Sequence, residues 1–182
     1  MMATNLAARL TCVGAPEALQ VSAAAGSCGV GSVFLGAIDE VARIIQEAVA
    51  AGVGAETIVE RHRAGRRRLP GFGHPVHREG DLRTARLYAL ADRSGVAGPH
   101  MTLASAVEAG VAQACDRPLP LNVDGACGAV ISDLGFDWRA RGFAVIARCA
   151  ALVDHLYEEI REPTARDLWR HVEDIYAYED PR

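Results

Sequence analysis

Apolar residues in this 182-residue chain recur at spacings of three and four, and almost nowhere alternate singly with polar ones. The clearest stripe is Ile38, Val41, Ala42, Ile45 and Val49, which predicts an amphipathic helix over about 31–51, ended by Gly52 and Gly54. A second stripe, Phe143, Ile146, Ala150, Val153, Tyr157 and Ile160, predicts one apolar face on a long helix over 138–161. Between them the pattern predicts helices over 56–64, over 81–95 starting at Asp81, and over 99–115, which Pro118 and Pro120 break. A further helix is expected over 123–134 despite its glycines, closed by Gly135. Shorter helices are expected over 6–13 behind an Asn5 cap and over 16–26 with Pro16 in the first turn. Pro163 and Thr164 restart a terminal one through Trp169 and Val172. Residues 65–80, dense in Gly, Pro and Arg, read as loop. The fold class expected is all-α, with a helical lead-in over 1–52 and a compact helical unit over 53–182.

Composition adds boundaries. Half the residues are apolar, enough for a core, and only 5% are aromatic. A net charge of −4 gives no general pull toward nucleic acid or membrane. The five cysteines are scattered with no CxxC pair, so neither a zinc site nor a disulfide framework is expected, and a reducing cytoplasm is the simplest setting. The first residues are too interrupted by Asn5 and Arg9 for a signal peptide, and no apolar run is long enough to span a bilayer.

The chemistry concentrates in two segments. Pro70-Gly71-Phe72-Gly73-His74-Pro75-Val76 holds a histidine in a loop bracketed by prolines. Pro120-Leu121-Asn122-Val123-Asp124-Gly125-Ala126 sets a carboxylate at the start of an apolar run. A His and an Asp on separate loops are the parts needed to move a proton on and off carbon. Each also has an ordinary use: His74 as a surface histidine in a helix connection, Asp124 as a helix N-cap. Arg78 and Arg83 are equally at home as solvated surface charge, and Arg148, inside the long helix, as a snorkelling side chain. His74 and His77 lie three apart, but a metal would need further ligands, so no metal is expected.

Together the two segments resemble the small-domain motifs of the citrate synthase superfamily, nearest its short citryl-CoA lyase branch. The resemblance covers nearly the whole chain and about the C-terminal two-thirds of a short member. It implies an enzyme that makes or cleaves the carbon–carbon bond between an acyl-CoA and a 2-oxo acid, as in citryl-CoA to acetyl-CoA and oxaloacetate. No bound cofactor is implied, since the coenzyme A thioester is a substrate. By resemblance Asp124 is the base at the α-carbon, and His74 holds the 2-oxo acid or citrate. Arg83, in Asp81-Leu82-Arg83 where relatives carry Asp-Pro-Arg, and Arg148 bind substrate carboxylates. Leu69, Pro70, Gly71 and Gly73 line the adenine site, and Arg78 meets CoA phosphates.

The chain departs from the pattern at the first catalytic motif. Where relatives read Gly-Pro-Leu-His-Gly-Gly, Gly26-Ser27-Cys28-Gly29-Val30-Gly31 places Cys28 at the histidine, and no histidine occurs before His62. A lost donor to the thioester oxygen typically costs about 10²–10³ in rate. Two accounts are open: a piece of a longer lyase-like protein, or a subgroup whose enolate site is built differently. A non-catalytic acyl-CoA-binding homologue is the alternative function. Missing large-domain helices would leave apolar faces uncovered, which implies a homodimer or larger homo-oligomer. The basic run from Arg61 to Arg68 reads as charge for CoA phosphates or as a helix end complementing its dipole, before nucleic acid.

Overall fold

The computed structural model describes residues 2–31, 36–66, 68–74, 77–114, 119–139 and 142–176. Among them stand nine helices: α1 (Ala3–Gly14), α2 (Leu19–Cys28), α3 (Gly36–Ala50), α4 (Ala55–Ala64), α5 (Leu82–Arg93), α6 (Pro99–Ala114), α7 (Val123–Asp133), α8 (Phe143–Arg161) and α9 (Ala165–Ile175). The only pairing of extended backbone among the described residues is an isolated antiparallel bridge between Phe72 and Leu121. The all-α reading therefore holds. The helices divide into two compact units, one of Met1–Phe34 with Gly142–Arg182, the other of Leu35–Arg141.

The first unit joins the two chain ends. α1 packs on α2, α8 and α9, and α2 on α8. Its buried cluster is small: Ala8, Cys12, Leu152 and Leu156, with Ala23 against them. Beside it lies a buried ion pair. Arg9 Nη1 donates to Glu159 Oε2 at 2.9 Å, and Arg9 also pairs with Glu158. Glu159 accepts from Thr164 N (3.0 Å), Thr164 Oγ1 (3.0 Å) and Ala165 N (2.9 Å), so it satisfies the otherwise orphaned donors at the start of α9. Asn5 does not cap a helix. α1 begins two residues earlier behind Met2, and Asn5 is buried within it, accepting from Thr4 Oγ1. Pro16 lies in the turn before α2, not in its first turn.

The apolar stripe expected on α8 is its outer face. Ile146, Val153, Tyr157 and Ile160 are more than half exposed, and α8 packs inward through Leu152, Leu156 and Glu159.

In the second unit α7 is the hub: α3, α5 and α6 all pack on it, and α4 packs on α6. Val41 and Ile45 of α3 meet Ile58, Phe72, Met101, Ala104, Val107, Leu121, Ala126 and Ala129 in one core. The glycines of α7 are what let it sit so deep. A Cβ at Gly128 would fall 2.8 Å from the Ile38 carbonyl oxygen and 3.1 Å from Ala42 N, so α3 and α7 touch backbone to backbone there. At its other end α7 closes with Asp133, which accepts from Gly98 N (3.0 Å), His100 N (3.0 Å), Met101 N (2.9 Å) and His100 Nδ1 (2.7 Å). One carboxylate thus caps α6 and ties it to α7. Among the described residues no helix is long and apolar enough to cross a membrane.

Candidate functional site

Three pieces of the second unit converge: the loop 68–74, the start of α5 and the start of α7. The loop turns tightly because Gly71 and Gly73 both sit at φ +77°. Asn122 N donates to Gly71 O at 2.9 Å, and Gly73 N to Pro120 O at 2.8 Å, closing the bridge around Phe72 and Leu121. Phe72 and Leu121 point into the core, so the polypeptide on either side is pinned. The approach is as close as backbone allows. A Cβ at Gly71 would lie 2.7 Å from Gly125 Cα and 2.5 Å from Val41 Cγ2, and one at Gly125 would lie 2.6 Å from Gly71 O.

Asn122 does most of the joining. Its Oδ1 accepts from Asp124 N (3.0 Å) and Gly125 N (3.1 Å), making it the N-cap of α7, while its Nδ2 donates to Gly73 O (2.8 Å). Asp124 is therefore not the cap. It stands in the first turn of α7, half-buried, two residues after the one that grips the His74 loop.

His74 follows Gly73 directly. Its Nδ1 accepts from His77 N at 3.1 Å, which puts the imidazole proton of the neutral form on Nε2. The two rings lie 4.7 Å apart, centroid to centroid.

At the start of α5, Asp81 is buried and fully used. Oδ1 accepts from Arg83 N (3.0 Å) and Arg83 Nε (2.9 Å), and Oδ2 from Arg83 Nη2 (2.8 Å) and Val123 N (3.0 Å). It caps α5 and satisfies a first-turn donor of α7 at once. The Arg83 guanidinium, with those backbone donors, holds its carboxyl well below the usual carboxylate range despite burial. The Arg83 guanidinium is pushed up in return, first by its hydrogen bonds to Asp81, with a smaller contribution from the charge of Asp124. Two of the five guanidinium N–H groups are spent on Asp81. Cys127, one turn after Asp124, is pushed up to about 11, first by burial and then by the Asp124 charge, so it is a neutral thiol at pH 7.

The structure thus brings the loop 69–73, His74, Arg83 and Asp124 to one end of the second unit. Leu69 and Pro70, both partly buried, line a small apolar void with Phe72 and Val107. Arg78 is exposed on the 77–80 turn. Arg148 belongs to the first unit, on α8. Its Nη2 reaches Met2 Sδ at 3.5 Å, and its buried Nε has no hydrogen-bond partner. Cys28, also in the first unit, is the exposed last residue of α2. Pro75 and Val76 lie outside the described residues. No cluster of three or more His, Cys, Asp or Glu side chains that could hold a metal occurs among the described residues. Sequence reasoning missed the joint role of Asp81 and the bridging by Asn122. The signals were the Asp81-x-Arg83 spacing and an Asn two residues before Asp124.

The model of the citrate synthase C-terminal domain matches residues 5–171. Citryl-CoA lyase from Hydrogenobacter thermophilus is 35% identical, with a TM-score of 0.86 covering 100% of this chain and 72% of that one. ATP citrate lyase from Methanothrix soehngenii, solved with citrate and coenzyme A, is 26% identical with a TM-score of 0.74, over 98% of this chain and 30% of that one. The probable ATP-citrate synthase of Dictyostelium discoideum is 28% identical over 86% of this chain, which spans only 28% of that relative's length.

Proposed function

This chain belongs to the citrate synthase family, and we propose on that premise that it is a citryl-CoA lyase-like enzyme. It would make or cleave the bond between the α-carbon of an acyl-CoA and the keto carbon of a 2-oxo acid. The observation that carries this reading is the Asn122 bridge. One side chain caps the helix that bears Asp124 and holds the carbonyl next to His74, so a base and a donor stand on one rigid junction.

In the condensing direction Asp124 takes a proton from the acyl α-carbon. The resulting enolate attacks the keto carbon, and His74 Nε2–H donates a hydrogen bond to the alkoxide that forms, which takes its proton from water. Cleavage runs the same steps backward: water takes the hydroxyl proton, the carbon–carbon bond breaks toward the enolate, and Asp124 returns the proton to carbon. Arg83, held in place by Asp81, turns its remaining N–H groups to a substrate carboxylate. Arg148 is assigned a second carboxylate on the resemblance and on its unpartnered Nε. The backbone of Leu69, Pro70, Gly71 and Gly73 receives the adenine, and Arg78 a phosphate of CoA. The exposed apolar face of α8, and the exposed Leu168, Trp169 and Val172 of α9, fit a second copy of the chain, so a homo-oligomer is part of the reading.

Mass spectrometry after incubation with citryl-CoA tests it. Acetyl-CoA and oxaloacetate are expected. Unchanged citryl-CoA with retained CoA binding would instead favour a non-catalytic acyl-CoA-binding homologue, the reading supported by Cys28 at the usual histidine position.

A further inference from the structure

The accessible face of α7 carries a second side chain beside the proposed base. From Asp124 to Ile131 the residues that are not buried are Asp124, Cys127 and Ile131, spaced by three and four, so they share one face of the helix. That face cannot rotate. Gly125 lies against the backbone of Gly71, and Gly128 against that of α3, and neither leaves room for a methyl group. Side chains on a helix lean toward its N-terminus, so the Cys127 thiol lies over the turn that bears Asp124, with the two Cβ atoms about 5–6 Å apart. The charges of Asp124, Arg83 and Asp81 all act on that thiol, which sets it at the same end of the unit. Cys127 is a free cysteine outside the buried core cluster. Burial keeps it protonated, so it presents a small, weakly hydrogen-bonding surface among charged neighbours.

From this arrangement we infer that Cys127 forms the wall beside the acyl α-carbon and selects the acyl group, admitting acetyl and rejecting groups that carry a substituent on that carbon, such as propionyl. The inference rests on the proposed function, in which Asp124 takes a proton from that carbon. A carbon poised to lose its proton lies about 3–3.5 Å from the carboxylate. A methyl group in place of one of its hydrogens reaches about 1.5 Å further, and on the Cys127 side it runs into the thiol. Ile131, the next side chain on the same face, is a turn further off and cannot serve as that wall. Arg83 cannot either, since its guanidinium is engaged with Asp81. A thiol is suited to the place. It offers an apolar surface to carbon and is too weak a donor to compete with the substrate for the Asp124 carboxylate, as a serine hydroxyl would.

Two measurements test this. In the first, cleavage of citryl-CoA is compared with cleavage of its homologue bearing a methyl group on the acyl α-carbon, which releases propionyl-CoA instead of acetyl-CoA. In the unaltered chain kcat/KM is expected to favour citryl-CoA about tenfold or more, the scale on which one methylene is read by a closed wall. Cys127→Ala, checked for an unchanged melting temperature, is expected to narrow that preference about tenfold, and Cys127→Val to widen it. Equal rates for the two substrates in the unaltered chain, or a preference that Cys127→Ala leaves as it was, would overturn the assignment and leave the lyase reading standing. The second measurement needs no substitution. The unaltered chain is alkylated with iodoacetamide at about pH 9, where more of the thiol is ionised, and Cys127 is followed by peptide mass spectrometry apart from the exposed Cys28. Saturating acetyl-CoA is expected to suppress most labelling of Cys127. Desulfo-CoA, which has neither thiol nor acyl group, is expected to leave it unprotected. Equal labelling in the presence of the two ligands would overturn the assignment. If neither substrate is cleaved, the lyase reading fails, and the acyl wall stands or falls by the alkylation result.

Discussion

The two units of this chain solve the same packing problem with unequal success. The second closes its own core. Among the described residues fifteen buried ones meet there, and the loops that leave it are pinned by backbone bonds and a shared carboxylate. Among those of the first, the cluster has four buried residues, with a buried ion pair beside it and long stretches of α8 and α9 whose large apolar side chains face outward. The proposed proton chemistry needs side chains held still, and the unit with the larger core carries Asp124, His74 and Arg83. The proposed homo-oligomer would use the apolar surface that the first unit leaves exposed.

The largest expected effect sharpens the chemical half of that contrast. Asp124→Asn should lower turnover of citryl-CoA by about 10²–10⁴-fold while CoA affinity and assembly size stay unchanged. Steady-state rates with and without the substitution measure it, and a fully active variant would remove Asp124 from the chemistry.

Next is Arg9→Met, which leaves Glu159 buried without its charge partner and should cost about 3–5 kcal/mol by chemical denaturation. If the loss falls below about 1 kcal/mol, the first unit does not depend on its ion pair.

Asp81→Asn should cost about 1–3 kcal/mol at neutral pH, since it breaks the Arg83 pair and weakens two helix starts. The pH dependence has a definite sign. Because the folded carboxyl lies below its ordinary value, its contribution is complete above about pH 4 and is lost as pH falls toward the folded pKa. Melting temperatures of the variant should therefore fall less steeply than those of the parent below about pH 4.

The smallest effect on folding should come from Ile146→Asp, on the exposed face of α8, at under about 0.5 kcal/mol for the isolated chain. Its effect on association should be large: light scattering is expected to report a smaller particle than the parent forms. An unchanged particle would move the contact elsewhere.

Much of the fold was legible because helical periodicity is a local property. The α3 stripe of Ile38, Val41, Ala42 and Ile45 is buried as expected, and α5, α6 and α7 begin where Asp81, Pro99 and Val123 suggested. The α8 stripe was equally legible as a stripe, yet it faces outward. A sequence states which face of a helix is apolar and says nothing of which chain covers it. Asn5 read as a helix cap, and Asn5 and Arg9 as polar interruptions against a signal peptide, yet both are buried, and the carboxylates that pair with Arg9 lie 149 and 150 residues away. At the candidate site the residue types in the two motifs were readable, whereas the joining work of Asp81 and Asn122 was not. Both are cap-type residues near helix starts, and only the folded chain reveals that each serves a second segment as well.

Gly71 and Gly125 touch so closely that neither has room for even a methyl group. The contact therefore works as a two-letter lock. A homologous chain with any side chain at one position cannot recover the junction by changing the other, because beside the Val41 and Leu121 side chains the obstruction on each side includes the other glycine's main chain. Screening candidate relatives for glycine at both places would sort those that build this same loop–helix joint from those that only share its helices, before any of them is expressed.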